Sequence, residues 1–192
     1  MIYRERVIEI FRETKVLMEG HFLLTSGRHS RQYIQCAKIT QYPQYTSEIM
    51  QMLAGTFNDD KVEYVVGPAV GGIILSYEMA RQLGVKSLFT EREDESMALR
   101  RGFALPEGAN ILIVEDVVTT GGSVKEVIEL MQELNCNVRG VACLVDRSNG
   151  SVEFGTKFAA ALTMDVTSYE PNECPLCKED IPLQKMGSRK NK

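Results

Sequence analysis

One segment gathers residue types that could do chemistry together: Ile111-Leu112-Ile113-Val114-Glu115-Asp116-Val117-Val118-Thr119-Thr120-Gly121-Gly122-Ser123. Its apolar start is too short for a helix and reads as a buried strand. Two adjacent carboxylates end that strand, a loop of Thr and Gly follows, and a helical pattern begins near Ser123. The helix N-terminus offers unpaired N–H groups and a positive dipole end, which suit a phosphate dianion. Gly121 and Gly122 allow the backbone to approach that phosphate closely. The hydroxyls of Thr119, Thr120 and Ser123 add donors. Glu115 and Asp116 repel phosphate, so their use lies with sugar hydroxyls or a divalent cation. A sugar phosphate satisfies both halves of the segment.

Other phosphate-binding patterns do not fit. The G-x-G-x-x-G turn of dinucleotide folds is absent, and so is the Gly-Lys-Ser/Thr ending of a Walker loop. A plain strand-to-helix turn with a Ser123/Glu126 capping box is the simpler alternative. It does not require two acids at the end of a hydrophobic strand.

The elements that must position this segment follow from periodicity. Tyr3, Val7, Ile10, Phe11, Thr14, Leu17 and Met18 recur at helical steps, predicting a helix that Gly20 ends and that His21 helps to terminate. Residues 21–40 read as a turn (Thr25-Ser26-Gly27-Arg28) and a strand-like stretch. A second helix is expected from Pro43 to Gly55. Tyr64-Val65-Val66 reads as a strand leading into Gly67-Pro68-Ala69-Val70-Gly71-Gly72, followed by a helix from Ile73 to Leu83 that stops at Gly84. Residues 86–90 read as a strand, 91–102 as a polar charged stretch, 123–134 as a helix and 138–145 as a strand. Strands alternating with helices predict an α/β fold whose mostly parallel sheet is covered on both faces.

The chain has 192 residues and a formal charge of −4. Residues 185–192 carry four basic groups and no acid, so the first 184 residues carry a net −8. That balance argues against non-specific binding to nucleic acid or anionic membrane. An anionic ligand must then be met by a local cluster or by backbone N–H groups. No signal-like or membrane-spanning stretch is evident, which leads to the expectation of a cytoplasmic protein with free thiols. The length suits one large domain, expected over residues 1–192, with about 1–60 and the C-terminal stretch contributing a small hood.

Residues 115–123 resemble the phosphoribosyl-diphosphate-binding motif of type I phosphoribosyltransferases. Phe22, Leu24-Thr25-Ser26-Gly27-Arg28-His29-Ser30 and Tyr33 resemble the N-terminal substrate segment of the orotate phosphoribosyltransferases. Residues 67–72 resemble their glycine-rich pyrophosphate loop. Glu91-Arg92-Glu93 with Leu99-Arg100-Arg101-Gly102-Phe103 resembles the mobile catalytic loop of one branch. Asp146-Arg147 matches the position of the arginine that holds the orotate carboxylate. Tyr169-Glu170-Pro171 and Cys174-Pro175-Leu176-Cys177 resemble that branch's C-terminal stretch. Thr25 and Gly71 stand where the better-known branch has lysines.

The resemblance implies the type I phosphoribosyltransferase fold. It implies transfer of phosphoribose from 5-phospho-α-D-ribose 1-diphosphate to orotate, giving orotidine 5'-monophosphate and pyrophosphate, as in UMP biosynthesis. It implies Mg2+ held mainly through the substrate, no dedicated protein metal site, and a homodimer acting without nucleic acid or membrane. The implied catalytic residues are Arg92, Arg100, Arg101 and Asp116. Glu115, Asp116, Val117, Val118, Thr119, Thr120, Gly121, Gly122 and Ser123 are the expected phosphoribosyl-diphosphate site. Thr119 and Arg147 are the expected orotate site. At this length a stand-alone enzyme, not one fused to a decarboxylase, is expected.

Other residues carry plainer readings. Cys36, Cys136 and Cys143 fall on expected core elements, and Met50, Met52 and Met79 on helix packing faces. Cys174 and Cys177 could be half of a zinc site, but the sequence has no second C-x-x-C or closely spaced His pair. His29 reads as a substrate contact or an exposed loop residue, and the basic tail as a solvated terminus. The competing functions are a phosphoribosyltransferase for a purine or other base, from which Arg147 discriminates, and a non-catalytic phosphoribosyl-diphosphate-sensing regulator. The latter would need a DNA-binding element, and the acidic body shows none.

Overall fold

The computed structural model describes residues 2–24, 26–94 and 96–186. Thr25 and residues 187–192, most of the basic tail, lie outside them. Helix α1 spans Ile2–Glu13, followed by strands β1 (Leu17–Leu23) and β2 (His29–Ile34) and a 3-10 turn at Cys36–Gln41. Next come α2 (Pro43–Ala54), β3 (Tyr64–Pro68), α3 (Gly72–Leu83), β4 (Lys86–Glu93), β5 (Ser96–Leu99), β6 (Asn110–Val118), α4 (Gly122–Glu133) and β7 (Asn137–Asp146). The described chain closes with β8 (Lys157–Thr163), β9 (Ser168–Tyr169), α5 (Pro175–Lys178) and β10 (Gln184–Lys185).

The large sheet has the order β5-β4-β3-β6-β7-β8. All its pairings are parallel except β4 with β5. Strand β6 is buried on both sides. Leu112 and Val114 face a core shared with α1, α2 and α3 through Phe11, Leu53 and Leu75. Ile111 and Ile113 face the opposite core, which α4 closes with Val124, Val127 and Met131. Two-sided burial is why this segment reads as continuous apolar sequence instead of an alternating one.

The second sheet is small, with the order β10-β1-β2-β9. It draws on residues 17–34 and 168–185, whereas α1 and α2 pack on the large sheet. Residues 1–60 are thus divided between the two sheets.

Helix α1 is shorter than its periodicity predicts. Both the backbone N–H and Oγ1 of Thr14 donate to the Ile10 carbonyl, at 2.9 and 2.6 Å, and Lys15 takes a left-handed φ of 54°. These close the helix, and the chain turns so that Val16 is buried at the bend and Leu17 and Phe22 are buried from strand β1. The β-branched Val16 followed by apolar residues is better used there. Gly20 and His21 lie within β1, not at a helix end.

The charged stretch 91–102 is also more regular than expected. Strands β4 and β5 form an edge hairpin with Arg92 opposite Met97 and Thr90 opposite Leu99. Buried Thr90 and Met97 turn inward and hold it to the sheet.

Leu112 is fully buried where β6 meets the three-helix face. Leu112→Ala should lower unfolding free energy by about 2–5 kcal/mol, measurable by urea denaturation, with the fold retained.

Candidate active site

In the large sheet β3 and β6 are neighbours, yet the chain leaves them in opposite directions. Strand β3 continues through α3 to β4 on one side, and β6 through α4 to β7 on the other. Helices α3 and α4 cover opposite faces. This is a topological switch point, where a crevice opens beyond the carboxyl ends of the strands. Both glycine-bearing loops, 67–72 and 119–122, emerge there.

A cavity of about 250 Å³ occupies this end of β6, lined by Arg92, Glu115, Glu126 and residues 117–124. Its floor is the start of α4. Gly121 is the N-cap, in the left-handed region at φ 74°, and no side chain caps the helix. The first-turn N–H groups of α4 therefore have no intrahelical acceptor and are free to meet an anion. A Cβ on Gly121 would also lie 2.8 Å from Val152 Cγ1, so glycine is required on two counts. The Ser123/Glu126 capping box does not form. Glu126 instead accepts from Arg92, whose guanidinium lies 2.9 Å from each of its oxygens.

Strand alternation sends the two acids in different directions. Glu115 lines the cavity. Asp116 lies against the other loop, where a Cβ on Gly71 would sit 2.5 Å from its Oδ2. The lysine of the better-known branch could not stand at position 71 with Asp116 in this place. The Asp116 N–H donates to Glu115 Oε1 at 2.8 Å, tying the pair together. Burial holds Glu115 well above its ordinary value, and the Asp116 charge adds to this. Burial likewise raises Asp116. Two carboxyl groups held this way can take a hard cation or hydroxyl donors.

Arg147 emerges beside this pair. Its N–H donates to the Val118 carbonyl at 2.8 Å, which sets it next to Thr119 across the β6/β7 edge. Its side-chain Nε is buried and has no hydrogen-bond partner among the described residues. Burial is the main cause that raises the thiol of Cys36, with smaller influences from Asp116, Arg147 and Glu115.

The structure thus brings together Arg92, Glu115, Val117, Val118, Thr119, Thr120, Gly121, Gly122 and Ser123, with Asp116 and Arg147 adjoining. It does not bring in Arg100 or Arg101. Arg101 donates to both oxygens of Glu91 at 2.7 and 2.8 Å, and Arg100 lies 3.4 Å from Glu93. Glu126 and Gly71 also meet this site, although the sequence suggested Glu126 only as a capping residue and Gly71 only as part of the glycine-rich loop. Only the three-residue step from Ser123 hinted at Glu126.

The substrate-like segment 22–33 forms the β1–β2 hairpin. Arg28 there ties down β9, pairing with Glu170 and donating to Ser168 Oγ at 2.8 Å. His29 is buried, not an exposed loop residue. Cys36, Cys136 and Cys143 are buried free thiols, as expected, and Met50 and Met79 are fully buried.

Comparison with known proteins agrees with this geometry. The phosphoribosyl transferase domain matches residues 35–154. An orotate phosphoribosyltransferase of Caldanaerobacter subterraneus subsp. tengcongensis is 56% identical over 187 residues, 97% of this chain and 98% of its own length. One from Thermoanaerobacter sp. (strain X514) is 57% identical with the same coverage. The crystal structure of orotate phosphoribosyltransferase from Aeropyrum pernix superposes with a TM-score of 0.72 at 24% identity, covering 82% of this chain and 93% of that one. The chain belongs to the phosphoribosyltransferase family and, within it, to the orotate phosphoribosyltransferases.

The buried acids make a pH prediction. Because the folded pKa of Glu115 lies above its ordinary 4.5, the folded state keeps a proton that the unfolded chain releases. Its contribution to stability is complete below that ordinary value and is lost as pH rises through the folded pKa. Asp116 acts with the same sign. Ligand-free protein should therefore melt at a lower temperature as pH rises from about 5 to about 8, and Glu115→Gln should flatten that decline.

Proposed function

We propose that this protein transfers the phosphoribosyl group from 5-phospho-α-D-ribose 1-diphosphate to orotate. The products are orotidine 5'-monophosphate and pyrophosphate, in the route to UMP. The observation that carries the choice of base is Arg147. A buried guanidinium Nε–H without an acceptor, beside Thr119 at the mouth of the phosphate loop, calls for an anionic planar ligand. A guanidinium fork matches a carboxylate in two parallel hydrogen bonds. Orotate carries such a carboxylate, and purine bases do not.

The residues divide the work as follows. The loop from Thr119 to Ser123 and the open start of α4 bind the 5'-phosphate. Glu115 and Asp116 accept from the ribose hydroxyls. Breaking the anomeric bond builds positive charge on the ribose, which the adjacent carboxylates favour, and negative charge on the departing pyrophosphate. Orotate is already an anion, so no strong general base is needed. Positioning and electrostatic preorganisation carry the catalysis. Mg2+, held chiefly by substrate oxygens, would neutralise the pyrophosphate. Arg92 stands at the cavity with Glu126 as its present partner. It is suited to exchange that carboxylate for pyrophosphate.

Arg100 and Arg101 are not among the residues that line the cavity at the end of β6. We assign them to the site of a second subunit in a homodimer. The apolar side chains of Val70, Ile74 and Tyr77, which are 83, 51 and 65% exposed, support such a contact. They follow a helical step along the glycine loop and the start of α3, beside Asp116. Tyr77→Asp should convert a dimer into a monomer in sedimentation velocity. A cytoplasmic location is the reading for a chain of free thiols. No described helix is long and apolar enough to cross a membrane.

The direct test is to follow orotate absorbance in the presence of protein, Mg2+ and phosphoribosyl diphosphate. Consumption of adenine, hypoxanthine or xanthine with orotate untouched would reject the assignment, and inertness toward every base would favour a sensor. In the active enzyme, Arg147→Ala should raise the orotate KM about tenfold to a hundredfold, with a much smaller change for phosphoribosyl diphosphate.

A further inference from the structure

His21, His29, Cys174 and Cys177 come from three separate stretches of sequence and meet at one point. His21 lies on β1, His29 on β2, Cys174 at the N-cap of α5 and Cys177 within α5. Their ligand-capable atoms all lie within 4.8 Å of one another. In sequence, no closely spaced His pair accompanies the two cysteines. The hairpin supplies that pair by laying β2 back along β1.

We propose that these four side chains form a structural zinc site of the Cys2His2 type. A tetrahedral zinc with ordinary Zn–S and Zn–N bonds places its ligand atoms about 3.3–3.8 Å apart. Here His21 Nε2 lies 3.6 Å from Cys174 Sγ and 3.8 Å from Cys177 Sγ, and Cys177 Sγ lies 3.3 Å from His29 Nδ1. The two imidazole nitrogens are 2.9 Å apart and need open by only a few tenths of an ångström. The orientation of His21 is also set for a metal. Its Nδ1 is 2.7 Å from the Ile181 carbonyl, which can only accept. Nδ1 therefore carries the proton, and the Nε2 lone pair points at His29 and the sulfurs. A backbone carbonyl holding the far nitrogen of a ligating histidine is the usual outer-shell arrangement.

Two thiols and two imidazoles favour zinc over magnesium or calcium, and four protein ligands leave no open position for catalysis. His21, His29 and Cys174 are buried, while Cys177 is exposed and gives the ion a path in. Binding releases both thiol protons to solvent. The site would fasten α5 to the β1–β2 hairpin, in a sheet where β9 and β10 contribute two residues each. None of the four residues lines the phosphate cavity, so the proposal is independent of the transferase reading.

The test is metal analysis of full-length protein, purified without chelator and separately reconstituted with zinc or cobalt under reducing conditions. About one equivalent of zinc per chain is expected, with cobalt giving the visible bands of a tetrahedral thiolate complex. Cys177→Ser should lose most of the metal and melt at a lower temperature. Cys177→His, which keeps a ligand, should retain the metal, and Cys136→Ser, remote from the cluster, should bind as the parent does. Wild-type protein that takes up neither metal would overturn the proposal and leave a hydrogen-bonded thiol–imidazole cluster. Equal metal content in the parent and Cys177→Ser would overturn it as well.

Discussion

The structure around the active site depends on one close approach: the backbone of Gly71 against the carboxylate of Asp116. A single methyl group on Gly71 would lie 2.5 Å from Oδ2, so only glycine lets the two loops share the crevice between β3 and β6. The neighbouring contacts repeat the constraint. A Cβ on Gly72 would meet the Val114 carbonyl at 2.8 Å, and one on Gly67 the Gly72 carbonyl at 2.5 Å. With the β3 loop pressed on the end of β6, Glu115 is buried and Asp116 half-buried where carboxylates are normally disfavoured. Partly desolvated carboxyl groups of this kind gain from hydroxyl donors or a cation. Their burial is the kind of local conflict that functional sites retain.

A net-acidic chain that must hold a polyanion has few ways to do it. Among the described residues lining the phosphate cavity, Arg92 is the one basic side chain, and Glu126 already faces it. The other groups there that can meet an anion are the uncapped start of α4 and the hydroxyls of Thr119, Thr120 and Ser123. Arg92 and Glu126 also join the edge hairpin to α4, so ligand competition for Arg92 would be felt in β4 and β5.

Much of the fold was legible because local chemistry and global architecture agree. Pro43, Gly84 and the apolar run at 111–114 each mark an element boundary or a buried strand that the structure contains. The loop after β6 was legible as a strand-to-helix connection for the same reason, and its cavity gathers Glu115 with the hydroxyls and glycines that the sequence places together. The failures lie where tertiary contacts override local pattern. Leu17 and Met18 continue a helical period, but Thr14 and Lys15 close the helix first. Arg100 and Arg101 match the family's lid by order, yet within one chain their partners are Glu91 and Glu93. His21 and His29 carried no visible signal, because their meaning depends on cysteines some 150 residues away, across the whole large sheet.

The small sheet has a consequence for the order of assembly. Its strands come from residues 17–34 and 168–185, with every strand of the large sheet lying between them in sequence. Closing so long a span is entropically expensive until the large sheet has brought its ends together. During synthesis the β1–β2 hairpin emerges early but must wait with unpaired edges until the last of these residues leaves the ribosome. The large sheet is thus the template, and the small sheet is the clasp that reports its completion.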